Sequence, residues 1–293
     1  RLVLDLNTDA QFPFGGGSSE RGLLGIASQN NLVYVSYTSQ DIDGSYSLVV
    51  DEYSMNFTKV RNIIKIGGFI QMHFGANLLF DSLGKLYLSV GDGSVNNIYE
   101  DHPQNLNVYR GKILRLDISD LKLEPEIVAY GIRNPWGVTI DSKDRMFILQ
   151  CGWSSIEALY LLNDLYSGIP ANLGWPVFEG SKRMRKDPLM FKDVLAPIFE
   201  TNIRPGCLTG GVYLNDIESF LFADFFGTIR LLKQQENGEW YLLHEEKREI
   251  DPDNYTDEGT IWGFGFDKKT KKIYVAPNNL ELEILVDQVK LNQ

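Results

Sequence analysis

Few residues in this sequence have the type and spacing to do chemistry. Of the three histidines, His102 and His244 have no ligand-like spacing around them and read as surface residues, which leaves His73. An imidazole titrates near neutrality and suits a general base; the plainer reading is a ring satisfied by a neighbouring backbone group. Arg133-Asn134-Pro135-Trp136-Gly137 puts a cation next to an amide, and equally makes a good turn with Trp136 as core. Glu20 and Glu157 are single acids, and calcium wants six to eight oxygens, so one carboxylate is not a site. Cys151 and Cys207 show no metal-type spacing. They read first as buried free thiols, with one long-range disulfide as the alternative in an exported protein. Gly15-Gly16-Gly17-Ser18-Ser19 is not followed by Gly-Lys-Ser/Thr and reads as a flexible loop, not a phosphate cradle.

The elements that must position these residues are short strands. Leu32–Tyr37, Ser47–Tyr53, Leu86–Val90 and Gly111–Leu116 are rich in strand formers and bounded by turn residues. One unit recurs: a strand, a turn such as Asp81-Ser82-Leu83-Gly84-Lys85 or Asp141-Ser142-Lys143-Asp144-Arg145, and a second strand. Repetition at this period predicts an all-β propeller of four-stranded blades. The blades are placed at Leu23–Ile66, Asn77–Tyr130, Asn134–Phe178, Gly210–Leu243 and Gly259–Val289, with Arg1–Leu6 as a lone strand and Glu179–Leu195 as an exposed loop. The chain reads as a single domain over residues 1–293.

Composition narrows the partners. A formal charge of −11 repels phosphate backbones and argues against nucleic acid. No apolar run approaches the ~20 residues that span a bilayer, so membrane insertion is not expected. The sequons Asn56-Phe57-Thr58 and Asn254-Tyr255-Thr256 are weak pointers to an exported or extracellular protein.

Six segments in order resemble the glucose/sorbosone dehydrogenase family, which includes soluble aldose sugar dehydrogenases that use pyrroloquinoline quinone (PQQ). They are Glu20–Ala27 (ERGLLGIA), His73–Phe80 (HFGANLLF), Lys85–Gly93 (KLYLSVGDG), Gly111–Asp117 (GKILRLD), Tyr130–Gly137 (YGIRNPWG) and Leu173–Gly180 (LGWPVFEG). The resemblance implies a six-bladed propeller. The family's first blade has three strands ahead of the segment matching Arg1–Leu6, so either the chain extends upstream or the ring closes differently. It implies His73 as the base that takes a sugar hydroxyl proton, Arg133 and Asn134 as the pair that reaches the quinone oxygens, and Glu20 near the cofactor. It implies calcium close to Glu157 and Gly152.

The sequence also departs from the family pattern. The calcium-ligand tyrosine is Leu173, the second glycine of the histidine motif is Ala76, and the acid before the histidine is Met72. Phe225, Thr260 and Trp262 stand where a lysine and two arginines hold the carboxylates of PQQ, with Arg230 or Lys233 as nearby substitutes. Two functions follow: PQQ-dependent oxidation of an aldose sugar, or a non-catalytic propeller with a degenerate cofactor site that binds a protein or glycan partner, as in the related hedgehog-interacting protein. A calcium-dependent lactone hydrolase would use Asn77, Asp92 and Asn134 instead.

Overall fold

The computed structural model describes residues 4–6, 20–93, 101–120, 122, 124–186, 193–202, 206–247, 261–267, 270, 272–277 and 283–284. β1 (Leu23–Gln29), β2 (Leu32–Gln40), β3 (Tyr46–Ser54) and β4 (Lys59–Phe69) form the first antiparallel sheet. β5 (Gly75–Phe80), β6 (Leu86–Val90), β7 (Lys112–Leu116) and β8 (Glu126–Tyr130) form the second. The third starts with β9 (Asn134–Ile140), β10 (Met146–Cys151) and β11 (Glu157–Leu162). The chain then leaves it: β12 (Ala171–Asn172) pairs in parallel with β8, and β13 (Phe178–Glu179) and β14 (Lys182–Arg183) form a small hairpin. β15 (Phe199–Thr201) returns to complete the third sheet beside β11. β16 (Leu208–Leu214), β17 (Ser219–Asp224), β18 (Ile229–Gln234) and β19 (Trp240–Glu246) form the fourth sheet, and β20 (Ile261–Asp267), β21 (Lys272–Pro277) and β22 (Glu283–Ile284) the described part of the fifth.

The first strand of each sheet touches the first strand of the next, in the series β1–β5–β9–β16–β20. These five strands therefore line a common axis, and the sheets radiate from it as propeller blades. Their backbones come close: a β-carbon on Gly137 would lie 2.8 Å from the α-carbon of Gly210 on the next blade. The recurring turn aspartates explain the repeat seen in the sequence. Asp81 Oδ1 accepts the Leu83 and Lys85 amides at 3.0 and 2.9 Å, and Asp141 Oδ1 accepts those of Lys143 and Arg145 at 2.9 Å each.

Strand alternation builds the core between blades, because successive side chains point to opposite faces. On β10, Met146 and Ile148 pack with Tyr87 and Ile113 of the second blade, while Phe147 and Leu149 pack with Phe220 and Phe222 of the fourth. Each such fully buried side chain contributes about 1.5–3 kcal/mol.

Two expectations are corrected. The outer strand of the third blade lies at Phe199–Thr201, outside the expected span Asn134–Phe178, because the long connection first lends β12 to the second blade. Three residues with no alternation gave no signal for it. Of the expected strand Arg1–Leu6, Arg1–Val3 lie outside the described residues, and Leu4–Leu6 are not a strand. Leu6 is instead buried against Val33, Val35, Val49 and Tyr53 of the first blade.

Candidate functional site

Glu20 lies just ahead of β1, His73 just ahead of β5, Arg133 and Asn134 at the start of β9, and Thr209 at the start of β16. The innermost strands of a propeller run in the same direction, so these residues from four blades meet at one mouth of the axis. A cavity of about 570 Å³ opens there, with Glu20, Asn77, Asn134, Trp136, Thr209 and Phe264 in its wall.

His73 is 3% exposed and has φ +59°, a left-handed conformation that costs a residue with a side chain about 1 kcal/mol or more. Its surroundings hold it there. Its N–H donates to Glu20 Oε2 at 2.7 Å, and the same oxygen accepts Asn134 Nδ2 at 3.1 Å, so one carboxylate ties three blades together. His73 Nδ1 lies 2.7 Å from Asp92 Oδ1. Asp92 Oδ2 accepts Trp175 Nε1 at 2.9 Å, and the Asp92 N–H donates to Arg133 O at 2.7 Å. A carboxylate at Nδ1 takes that proton as a hydrogen bond and leaves the lone pair of a neutral ring on Nε2, the arrangement a general base needs. The sequence does not mark Asp92 or Trp175 as a partner of His73. The Gly91-Asp92-Gly93 motif was the available signal, but nothing in a sequence says which acid a histidine meets.

Arg133 is buried beside Asp92 and Trp175. Its Nη1 donates to the Cys151 carbonyl at 3.1 Å, and its guanidinium lies 5.8 Å from the centre of the Trp175 ring. Burial pulls its pKa down, opposed by the charges of Asp92, Glu157, Glu20 and Glu179. Asn134 does reach the cavity. Its Oδ1 is buried and has no hydrogen-bond partner, and Thr209 Oγ1 is in the same state on the neighbouring blade. Asn77, offered for a calcium-dependent hydrolase, spends its amide on the Pro135 and Trp136 carbonyls at 3.2 and 2.7 Å.

Cys151 and Cys207 form a disulfide, correcting the reading as free thiols. The propeller brings the end of β10 beside the start of β16, a proximity that 56 residues of separation conceal. Glu157 lies against this bridge. Its Oε2 accepts the Gly152 N–H at 3.1 Å, so the two residues expected near calcium bond to each other. Burial pushes the Glu157 pKa up to about 8, against the amides of Gly152 and Leu208 and the Arg133 charge. Glu179, expected in an exposed loop, is fully buried. Its Oε1 accepts the amides of Trp153, Ser154, Ser155 and Ile156, which hold its pKa down against the cost of burial.

The described residues supply no cation clamp for PQQ and no cluster of acidic side chains for calcium. PQQ carries three carboxylates and calls for cations. Among the described cavity-lining residues the single cation is Arg21, which donates to the Tyr46 hydroxyl and lies over its ring. Phe225 packs against Trp136 and Phe226. Thr260 lies outside the described residues, and only the backbone of Trp262 is described, in β20. Arg230 is no substitute: it is fully buried on β18, two strands out from the axis, and paired with Asp224 at 2.9 Å and Glu245 at 2.8 Å. Lys233 is on the same outer strand. For calcium, the cysteine and acidic side-chain atoms that meet at Glu157 among the described residues are two disulfide sulfurs, and no second carboxylate joins them.

The Glucose / Sorbosone dehydrogenase profile matches residues 16–194. The chain belongs to this family. Among curated proteins it is 28% identical to the HIPL1 protein of Arabidopsis thaliana, over 46% of this chain and 25% of that one. It is 26% identical to human hedgehog-interacting protein, over 47% and 25%, and 28% identical to aldose sugar dehydrogenase YliI of Escherichia coli, over 39% and 34%. The chain thus spans about a quarter to a third of the length of these relatives. The PQQ-bound aldose sugar dehydrogenase of Streptomyces coelicolor superposes with a TM-score of 0.66 at 19% identity, over 92% of this chain and 77% of that one. A glucose dehydrogenase superposes with a TM-score of 0.70 at 17% identity, over 90% and 82%. The family's propeller fold is therefore shared. No helix among the described residues is long and apolar enough to cross a membrane.

Proposed function

We propose that this chain is a binding propeller whose axial mouth takes a neutral, polyhydroxylated ligand of the sugar class, free or carried on a glycan, in a cofactor site that has lost its quinone clamp. The observation that carries this reading is that two cavity-lining residues, Asn134 and Thr209, each hold a buried side-chain oxygen, Oδ1 and Oγ1, without a hydrogen-bond partner. A buried polar atom without a partner costs about 1–3 kcal/mol. A ligand hydroxyl removes that cost by donating to Asn134 and exchanging a hydrogen bond with Thr209. The carboxylates of Glu20, Asp92 and Glu179 around Arg133 favour a neutral ligand over a trianion. We take residues 1–293 as one propeller domain. The disulfide and the exposed Asn56 of the first sequon suit an exported protein.

Titrating the purified protein with PQQ, with and without calcium, then assaying dye reduction with a panel of aldoses, tests this reading. The expected result is no saturable PQQ binding by folded protein, together with aldose binding that weakens in Thr209→Val. Saturable PQQ binding, with turnover that disappears in His73→Ala, overturns it.

The second reading, PQQ-dependent oxidation of an aldose, is favoured by the assembled His73–Asp92 pair. Under it, His73 Nε2 takes the sugar hydroxyl proton, while Asp92 and Glu20 hold the ring and its backbone. The same titration separates the two.

A further inference from the structure

The buried Cys151 and Glu157 and the half-buried Cys207 meet between the third and fourth blades, and their Sγ and carboxylate oxygen atoms all lie within 4.8 Å of one another. In the oxidised protein the two sulfurs are bonded to each other. We propose that when this disulfide is reduced, Cys151, Cys207 and Glu157 become a thiolate–thiolate–carboxylate site for zinc, with the fourth position open to water.

The chemistry favours a thiophilic metal over calcium, because soft thiolates select zinc where calcium needs many hard oxygens. Zinc takes sulfur at about 2.3 Å and carboxylate oxygen at about 2.0–2.2 Å, which puts tetrahedral ligand atoms about 3.3–3.8 Å apart. The two sulfurs must move apart to that separation once the bridge opens, and the Glu157 oxygen already lies within 4.8 Å of both.

The charges also balance. Two thiolates and a carboxylate carry three negative charges, so zinc leaves a single net negative charge. Arg133 Nη1, 3.9 Å from Cys151 Sγ, neutralises it. The same cation favours the thiolate over the thiol before metal arrives. The Gly152 and Leu208 amides, each following one of the cysteines, already orient the Glu157 carboxylate toward the pair.

The redox step is thiol–disulfide exchange. A dithiol attacks one sulfur, leaves as its own cyclic disulfide, and two protein thiols remain. Zinc then displaces the protons of both thiols and of Glu157 into solvent. This site is available before the bridge closes or after a thiol reductant opens it.

Cobalt(II) and zinc serve as probes, with a water-soluble phosphine as the reductant so that no added thiol competes for metal. The phosphine takes an oxygen from water as it reduces the disulfide to two thiols. Reduced protein should bind one equivalent of cobalt with thiolate-to-metal charge-transfer absorption, bleached by one equivalent of zinc; oxidised protein should show neither. Glu157→Gln should weaken zinc by at least about tenfold, and Cys207→Ser should abolish the absorption. Circular dichroism follows the fold throughout. Folded reduced protein without the band, reduced protein that unfolds and stays unfolded with zinc, equal binding in the oxidised form, or full affinity in Glu157→Gln each overturns the proposal.

Discussion

Gly91 and His73 approach so closely that a β-carbon on Gly91 would lie 2.0 Å from the His73 carbonyl oxygen. The contact is backbone against backbone and cannot be relieved by turning a side chain. Gly91→Ala should therefore destabilise the protein by about 1–3 kcal/mol, as forced overpacking does, and loosen His73 from Asp92. Urea denaturation measures the first effect and the His73 ring ¹⁵N shifts the second. Wild-type values for both would show that the backbone at residue 73 can move freely.

Asp92 serves two donors at once, His73 Nδ1 and Trp175 Nε1. In Asp92→Asn a single amide oxygen remains, so one donor loses its acceptor inside the protein. The expected loss is about 1–3 kcal/mol, with a redistribution of the His73 tautomers visible in its ring ¹⁵N spectrum. An unaltered tautomer would mean that Asp92 does not set the ring's protonation.

Glu157 makes stability depend on pH in a direction opposite to that of most carboxylates. Burial raises its folded-state pKa from 4.5 to about 8. Between those two values the folded state holds a proton that the unfolded state has released. Stability therefore falls as pH rises from about 4.5 to about 8 and levels off above, with a slope of at most about 1.4 kcal/mol per pH unit from this group. Glu157→Gln should remove that part of the slope. Unfolding free energies of both proteins at a series of pH values give the comparison, and parallel curves would rule the effect out.

Thr209 separates a binding group from a structural one. Its hydroxyl is buried without a partner, so Thr209→Val should leave stability unchanged or raise it by up to about 1 kcal/mol. The same change should weaken sugar binding roughly tenfold, the loss of one hydrogen bond of about 1.4 kcal/mol. Thermal melts and calorimetric titration read the two separately. A variant that loses stability instead would mark the hydroxyl as structural.

Much of the fold was legible in the sequence. The Asp81 and Asp141 turns recur because the aspartate closes the hairpin through local backbone bonds, and a local interaction leaves a local pattern. His73, Asn134 and Glu20 could be picked out as candidates because their segments resemble one family. The strand Phe199–Thr201, the burial of Glu179 and the pairing of Cys151 with Cys207 were not legible. Each depends on which distant segment lies alongside.

The sequence by itself determined the all-β repeat, the family and the residues available for chemistry, because strand alternation and turn bonds act over a few neighbouring residues. Only the tertiary structure decided what those residues touch. It set Asp92 against His73, turned Arg133 to the Cys151 carbonyl, and left the cavity-lining Asn134 and Thr209 with buried, unpartnered oxygens. Hydrogen bonding, burial and charge pairing at the axis join residues from four blades, and their partners are settled only when the blades pack.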